Sequence, residues 1–308
     1  MAVSSDVCSG CEYNFYDAGA FSNDRVKEEL LRHGIWRDHT NCGRCGNPLR
    51  AEDRGRFHCG KQIRRVKKRP VVCGWSKTIW SGTFFERTYL QLITLWRFIL
   101  ALLTMPPPRQ CHLEQFLDLS SKTITDLYVS CREVLVYSVL STSEKLGGEG
   151  RVVEVDVAKF GWLMYGRGRI TGRWFFGGIE RETGCTFLVP LEKCSAATLV
   201  TALKEWVLPG TTVVGDCWQV YNCLRNEAFC CLMDSYTYSF LDPEMGGHTN
   251  VVKRTWREVR VKVPRYGQKK ERAVGHLAEY LFKAKYPNMA TRLHHFLIAA
   301  AGLYSPDY

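Results

Sequence analysis

The spacing of apolar positions divides the chain into a helical first half and a strand-rich second half. Residues 23–33 place Val26, Leu30 and Leu31 on one face, with Asn23 able to cap and Gly34 able to stop the helix. Residues 89–104 form an apolar run that ends at Pro106-Pro107-Pro108. A short helix is predicted over 112–117, a turn at Asp118-Leu119-Ser120, and a longer helix over 121–140 with Ile124, Leu127, Val134 and Leu135 inside. Helix, short turn and helix together suggest a helix-turn-helix, whose second helix would bring Ser120, Ser121, Lys122, Thr123 and Thr125 near a major groove. A plain helical hairpin fits the same pattern. Gly147-Gly148-Glu149-Gly150 reads as a flexible linker and a domain boundary.

Beyond that linker the period shortens. Strands are predicted over 152–157, 174–180 and 186–191, and the turn at Thr183-Gly184 makes the last two an antiparallel hairpin. A helix over 196–207, a strand over 211–216 and a helix over 218–224 follow. His248-Thr249-Asn250 supplies capping residues for a helix running to Arg260, and 277–284 reads as a closing helix. Residues 230–245 have no clear pattern, and 288–308 carry no recognisable chemistry.

Charge and composition narrow the class. The 308 residues are 45% hydrophobic and 24% charged, which are globular values, and the net charge is +11. Such a basic excess favours a polyanion, either nucleic acid or an anionic surface. A membrane span is not expected, because the run at 89–105 is interrupted by Gln91 and Arg97 and falls short of roughly 20 apolar residues. Lys61-Gln62-Ile63-Arg64-Arg65-Val66-Lys67-Lys68-Arg69 has six basic residues in nine. Lys61, Arg64, Arg65, Lys67 and Lys68 suit phosphate binding or nuclear import, and a solvated hairpin would carry the same residues.

Fourteen cysteines in a chain whose start lacks a signal-peptide pattern point to a reduced compartment, with some thiols on metal and the rest in the core. Cys42-Gly43-Arg44-Cys45 is a CxxC, with thirteen residues between it and Cys59 and thirteen more between Cys59 and Cys73. These four suit one tetrahedral, structural Zn²⁺ in a zinc ribbon. Two other sets compete: Cys8, Cys11, Cys42 and Cys45, or a set in which His58 replaces Cys59.

The strand pattern also carries acids. Val152-Val153-Glu154-Val155-Asp156-Val157 holds Asp156 near its middle, and Thr211-Thr212-Val213-Val214-Gly215-Asp216 ends on Asp216. Two aspartates on one side of a sheet make a hard-oxygen site suited to Mg²⁺ or Mn²⁺. Alternatively, Asp216 simply caps the helix that begins at Trp218.

Between residues 152 and 287, many short motifs resemble, in order, those of the Merlin superfamily of DNA transposases and their bacterial insertion-sequence relatives. They include Val153-Glu154-Val155-Asp156, Gly177-Gly178-Ile179-Glu180-Arg181 and Phe187-Leu188-Val189-Pro190. Leu208-Pro209-Gly210-Thr211-Thr212, Gly215-Asp216-Cys217-Trp218, His248-Thr249-Asn250 and Thr255-Trp256-Arg257 continue the series.

The resemblance implies an α/β fold: a ribonuclease-H-like mixed sheet flanked by helices, preceded by a zinc ribbon and a helix-turn-helix-like helical region. The expected order is a ribbon over 1–75, helices over 76–146, the catalytic-type domain over 147–290 and a tail over 291–308. It further implies nuclear double-stranded DNA as partner, and it is compatible with a homodimer. The family's site is two aspartates and a glutamate holding two Mg²⁺ ions. Carried over, the aspartates are Asp156 and Asp216, but the glutamate position holds Lys253. Val157 also stands where the family usually has glutamate, and the Asn-His-Ser before Asp242-Pro243 is missing, with Asp234-Ser235-Tyr236 near its place.

An ammonium in place of a carboxylate changes the local charge by two units. Each unit interaction is worth roughly 4 kcal/mol at about 4 Å and an effective dielectric near 20. Glu258, five positions on, points about 140° away around the helix. Asn250, three positions back, shares the face and offers a neutral oxygen, and Glu244 precedes the helix. Arg257 and Arg260 lie on the face of Lys253 and suit substrate phosphate. The sequence therefore favours a transposase-derived DNA-binding protein with impaired strand cleavage and transfer. An active two-metal transposase is the alternative, and a zinc-containing interaction protein without nucleic acid is a third reading.

Overall fold

The computed structural model describes residues 8–52, 54–65, 68–86, 90–105, 110–163, 170–215, 229–233, 249–262 and 272–306. The chain divides into two compact units. One is Met1–Ser138 with Tyr286–Tyr308, and the other is Val139–Lys285.

The first unit opens with two helices, α1 (Phe15–Gly19) and α2 (Asn23–Arg32). The cap of α2 is Ser22, whose Oγ accepts the Arg25 N–H, rather than the expected Asn23. At its other end Gly34 adopts φ 73°. Its N–H donates to Leu31, and the Ile35 N–H donates to Leu30. This is a Schellman closure, and the two residues it bonds, Ile35 and Leu30, are both buried. Short strands follow: β1 (His39–Asn41) pairs with β2 (Pro48–Arg50), β3 (Arg56–His58) with β6 (Ser76–Thr78), and β4 (Gln62–Arg65) with β5 (Lys68–Val72), all antiparallel.

The apolar run is α3 (Leu92–Thr104), with Leu95, Trp96 and Phe98 through Leu103 buried and the Trp96 indole N–H donating to Ala18 at 2.7 Å. Among the described residues, no helix is long and apolar enough to cross a membrane. Helix α4 (Gln110–Leu117) and helix α5 (Ser121–Thr142) flank a turn in which Asp118 takes φ 52°. The helix and turn spans match the sequence pattern closely.

The second unit is a helix–sheet–helix sandwich. Strands β7 (Val152–Leu163), β8 (Ile170–Glu180), β9 (Thr186–Leu191), β10 (Thr212–Gly215) and β11 (Cys230–Met233) form one sheet in the order β11-β10-β7-β8-β9. β8 runs antiparallel to β7 and β9, whereas β10 runs parallel to β7 and β11 parallel to β10. It is the expected mixed sheet flanked by helices. β7 and β8 extend beyond their predicted ends, because the two pair continuously from Val153↔Glu180 to Leu163↔Ile170.

Alternation along β7 sends Val153 and Val155 to one face, where they meet Leu199 and Leu203 of α6 (Ala196–Trp206). The opposite face carries Ala158, packed with Val252, Trp256 and Val259 of α7 (Asn250–Lys262) and with Leu277 of α8 (Ala273–Lys285).

Two expectations about the joints change. The glycines of 147–150 are not a flexible linker. Gly147, Gly148 and Gly150 take positive φ, and the turn is tied down by the Gly148 N–H to Thr211 Oγ1 at 2.8 Å and by Leu146 and Leu208 N–H bonds. The two units divide instead within α5. Nor is 291–308 a tail. Residues Arg292–Leu303 form α9, with Leu293, Phe296, Leu297 and Ala300 buried and Arg292 Nη1 donating to Leu103 at 2.9 Å. Its run of apolar residues at helical spacing is a core face.

Candidate functional site

Two acids of β7, Asp156 and Glu154, have different roles. Asp156 is half-buried near the middle of β7, opposite Gly177, and its Oδ1 accepts the Val157 N–H at 2.7 Å. Glu154, two residues earlier and on the same face, is wholly buried. Its Oε1 accepts from Arg181 Nε at 2.8 Å, and its Oε2 accepts the N–H groups of Val251 and Val252, each at 3.0 Å. Those amides belong to the first turn of α7 and would otherwise lack acceptors. A carboxylate there also meets the positive end of the helix dipole. Glu154 therefore holds the start of α7 onto β7. In the sequence Glu154 figures only as part of a motif. The available signal was an acid in a β-branched strand, in phase with Asp156.

The other constraint on α7 is Gly177. A Cβ at that position would come within 2.7 Å of Trp256 Cζ2 and 2.6 Å of Leu188 Cδ2. The missing side chain lets the Trp256 ring lie over the strand position paired with Asp156. Lys253 sits between these two anchors, in the turn after the amides bound by Glu154 and before Trp256. It is half-buried, and its N–H donates to Thr249 at 3.1 Å. Asn250 begins the helix and is exposed. Arg257 and Arg260 are exposed further along the stripe of Lys253. Glu258 is engaged elsewhere, with Arg254 Nε at 3.3 Å and with the Tyr280 hydroxyl at 3.2 Å.

No protein-family model matches the chain, and no curated protein matches it. Among solved structures it is similar to the integrase catalytic core domain of HTLV-2 in complex with magnesium. The dimeric form matches at 12% identity over 52% of this chain and 88% of that one, with a TM-score of 0.27. The trimeric form matches at 12% identity over 50% and 99%, with a TM-score of 0.29. The simian T-cell lymphotropic virus intasome in complex with PP2A regulatory subunit B56 gamma matches at 10% identity over 62% and 63%, with a TM-score of 0.27. Identities and TM-scores this low assign no residue roles in this chain.

β10 is described up to Gly215, which pairs with Val155, one residue short of Asp156. Asp216 itself lies outside the described residues, as do the helix expected over 218–224, Asp234-Ser235-Tyr236, Glu244 and His248.

In the first unit, the cysteines of the ribbon come together as expected. The ligand atoms of Cys42, Cys45, Cys59 and Cys73 all lie within 4.8 Å of one another. The Cys42–Cys73 and Cys45–Cys59 sulfurs are each 3.6 Å apart. A ZnS₄ tetrahedron with Zn–S near 2.3 Å has edges of about 3.8 Å, so the set fits Zn²⁺. Burial opposes ionisation of Cys42, yet the N–H groups of Arg44 and Cys45 outweigh it and bring the thiol down to about 6. The Lys61 N–H favours the Cys59 thiolate, but burial and the neighbouring thiols push this group up to about 12. Burial likewise raises Cys73, against the Trp75 N–H. A shared cation would let all four ionise.

The alternative set with Cys8 and Cys11 does not form, because those two belong to another group of side chains. His58 is outside the cluster as well. The second half of the ribbon has single cysteines because a hairpin is inserted between them. Cys73 N–H donates to Lys61, and Cys59 N–H donates to Trp75, so both cysteines lie at the base of the β4–β5 hairpin. That hairpin carries the basic run. Lys61 and Arg64 are exposed, Arg65 and Lys68 lie on its strands, and Lys67 is outside the described residues. Lys122 is exposed at the start of α5, where Ser120 Oγ accepts the Thr123 N–H at 3.2 Å.

Proposed function

We propose that the chain is a transposase-derived, nuclear, DNA-binding protein of Merlin type, whose ribonuclease-H-like unit is impaired in strand cleavage and transfer. The sheet supports the fold assignment: three antiparallel strands, with two further strands parallel to the first on its other side. The observation that carries the functional reading is the grip of Glu154 on α7. It ties the first turn of the helix that carries Lys253 to the strand that carries Asp156, which supports reading Lys253 as the occupant of the family's third-acid position.

When bound, a pair of Mg²⁺ or Mn²⁺ ions stabilises the attacking and leaving oxygens of a phosphoryl displacement. Asp156 and Asp216 are the carboxylates that would hold them. Lys253 brings a positive charge where the ions need a negative one, and Asn250 offers only a neutral oxygen. The donor set is therefore poor for two dications, and no chemical step is assigned to it. What remains are basic residues suited to the DNA backbone within each unit: Arg257 and Arg260 on α7 in the second, and in the first Lys61, Arg64, Arg65 and Lys68 of the hairpin, with Lys67 of the same run, and Lys122 at the start of α5, where the two-helix arrangement would meet a groove. A homodimer is compatible with this reading.

Full-length protein incubated with labelled duplex and Mg²⁺ or Mn²⁺ should bind the duplex and leave its strands intact. Robust cleavage that is abolished by Asp156→Ala would overturn the impaired reading and show that another residue supplies the third ligand.

A further inference from the structure

The first unit contains a second group of metal-type side chains, drawn from both ends of the chain. Cys8 and Cys11 precede α1, His33 is the C-cap of α2, and His294 lies in the first turn of α9. Their ligand atoms all lie within 4.8 Å of one another, and both imidazoles are buried.

The separations match one ion. The two sulfurs are 3.4 Å apart, Cys11 Sγ is 3.4 Å from His33 Nε2 and 3.6 Å from His294 Nδ1, and the two nitrogens are 3.1 Å apart. A tetrahedral ion with Zn–S near 2.3 Å and Zn–N near 2.05 Å needs edges of roughly 3.8, 3.6 and 3.3 Å respectively.

The surroundings look built rather than accidental. His33 Nδ1 lies 2.7 Å from the Glu29 carbonyl, which can only accept, so the ring carries its proton there and turns the Nε2 lone pair toward the cluster. A ligating histidine held by a backbone carbonyl in this way is the usual outer-shell arrangement. The Schellman closure at Gly34 fixes the residue that bears this ring. Tyr13 Oη stands 3.0 Å from Cys11 Sγ and donates to Glu29 at 2.7 Å. The seam is also closed by the Tyr13 N–H to Ala290 at 2.9 Å and by Asn288 Nδ2 to Glu12 at 3.1 Å.

We propose that Cys8, Cys11, His33 and His294 form a second structural zinc site, which clasps the N-terminal segment and α2 to the C-terminal helix of the same unit. Two thiolates with two imidazoles are a closed donor set, with no open position for catalysis. This inference is independent of the reading of the second unit, and its test uses no DNA.

The full chain, purified under reducing conditions, should contain about two equivalents of zinc. After exchange with Co²⁺, its visible spectrum should show a tetrathiolate centre together with a mixed thiolate–imidazole one. His294→Ala should halve the metal content and remove the mixed-centre bands, while Cys59→Ser should remove the tetrathiolate bands instead. If His294→Ala does not fold, X-ray absorption of the wild-type zinc protein decides. Six thiolates and two imidazoles shared by two ions give an average of about three sulfurs and one nitrogen per zinc. A wild-type chain holding a single equivalent, a shell of four sulfurs per zinc, or a folded His294→Ala variant keeping both metals would overturn the proposal.

Discussion

The two units treat positive charge in opposite ways. In the first, six cysteines and two histidines gather into two four-ligand groups whose separations suit a tetrahedral ion. In the second, the strand bearing Asp156 meets a helix whose first turn presents Lys253, held there by the buried Glu154. A structural site is kept as long as the fold needs it, because its metal supplies folding energy directly. A two-metal reaction site contributes no comparable stability, and a single substitution can remove it while the sheet and helix remain. On the reading proposed above, the contrast is between a scaffold with two candidate structural metal sites and a strand-and-helix site in which Lys253 stands in place of an acid.

The largest test of this contrast is on the first unit. Cys42→Ser combined with Cys59→Ser should abolish ribbon zinc and unfold residues 39–78. Structural zinc is worth about 10–16 kcal/mol of apparent binding free energy. Metal analysis together with protease mapping of that segment would show it, and a double variant that stays folded and zinc-loaded would break the contrast.

Next in size is Glu154→Ala. It leaves Arg181 and two helix-terminal amides without their shared carboxylate, which should cost about 3–5 kcal/mol. Urea unfolding of the variant would measure it. A loss under about 1 kcal/mol, the size of one ordinary hydrogen bond, would mean that α7 is positioned by Trp256 over Gly177 rather than by Glu154.

The smallest effect is on DNA affinity. Replacing Lys61, Arg64, Arg65, Lys67 and Lys68 with glutamine should flatten the dependence of log affinity on log salt by up to about 0.9 for each phosphate that is no longer neutralised. An unchanged slope would assign the hairpin to import or solubility.

Much of this organisation could be read from the sequence because it is local. The hairpin of β8 and β9 follows from alternation across a tight turn, and β9 spans the six predicted residues. The four ribbon cysteines lie within one stretch, so spacing makes them one candidate set, although the sets with Cys8 and Cys11 or with His58 compete until the fold brings the four sulfurs together. What escaped was non-local. His33 Nε2 and His294 Nδ1 meet across 261 residues. No periodicity links those positions, and an apolar helix end reads as core. Glu154 was hidden for a different reason. It obeys strand alternation, and its purpose depends on where α7 docks, which only the tertiary arrangement supplies. For the glycine turn at 147–150, composition suggests flexibility, whereas Thr211 and the backbone of Leu146 tie it to the sheet. The substitution at Lys253 could be read from the sequence only through the resemblance to a family. No spacing rule says that a lysine in the first turn of a helix stands where an acid is expected.

On the proposed reading, Lys253 keeps divalent metal from the Asp156 carboxylate. Mn²⁺ binding to the zinc-loaded full chain, followed by electron paramagnetic resonance, tests it most directly. If the Lys253 ammonium stands beside that carboxylate it opposes a dication by roughly 4 kcal/mol per unit charge, so the wild type should show no Mn²⁺ bound in a manner sensitive to Asp156. Lys253→Glu should gain Mn²⁺ binding, and adding Asp156→Ala to that variant should abolish it. Binding by the wild-type chain that disappears with Asp156→Ala alone would contradict the account, since it would show a metal site that works with Lys253 in place.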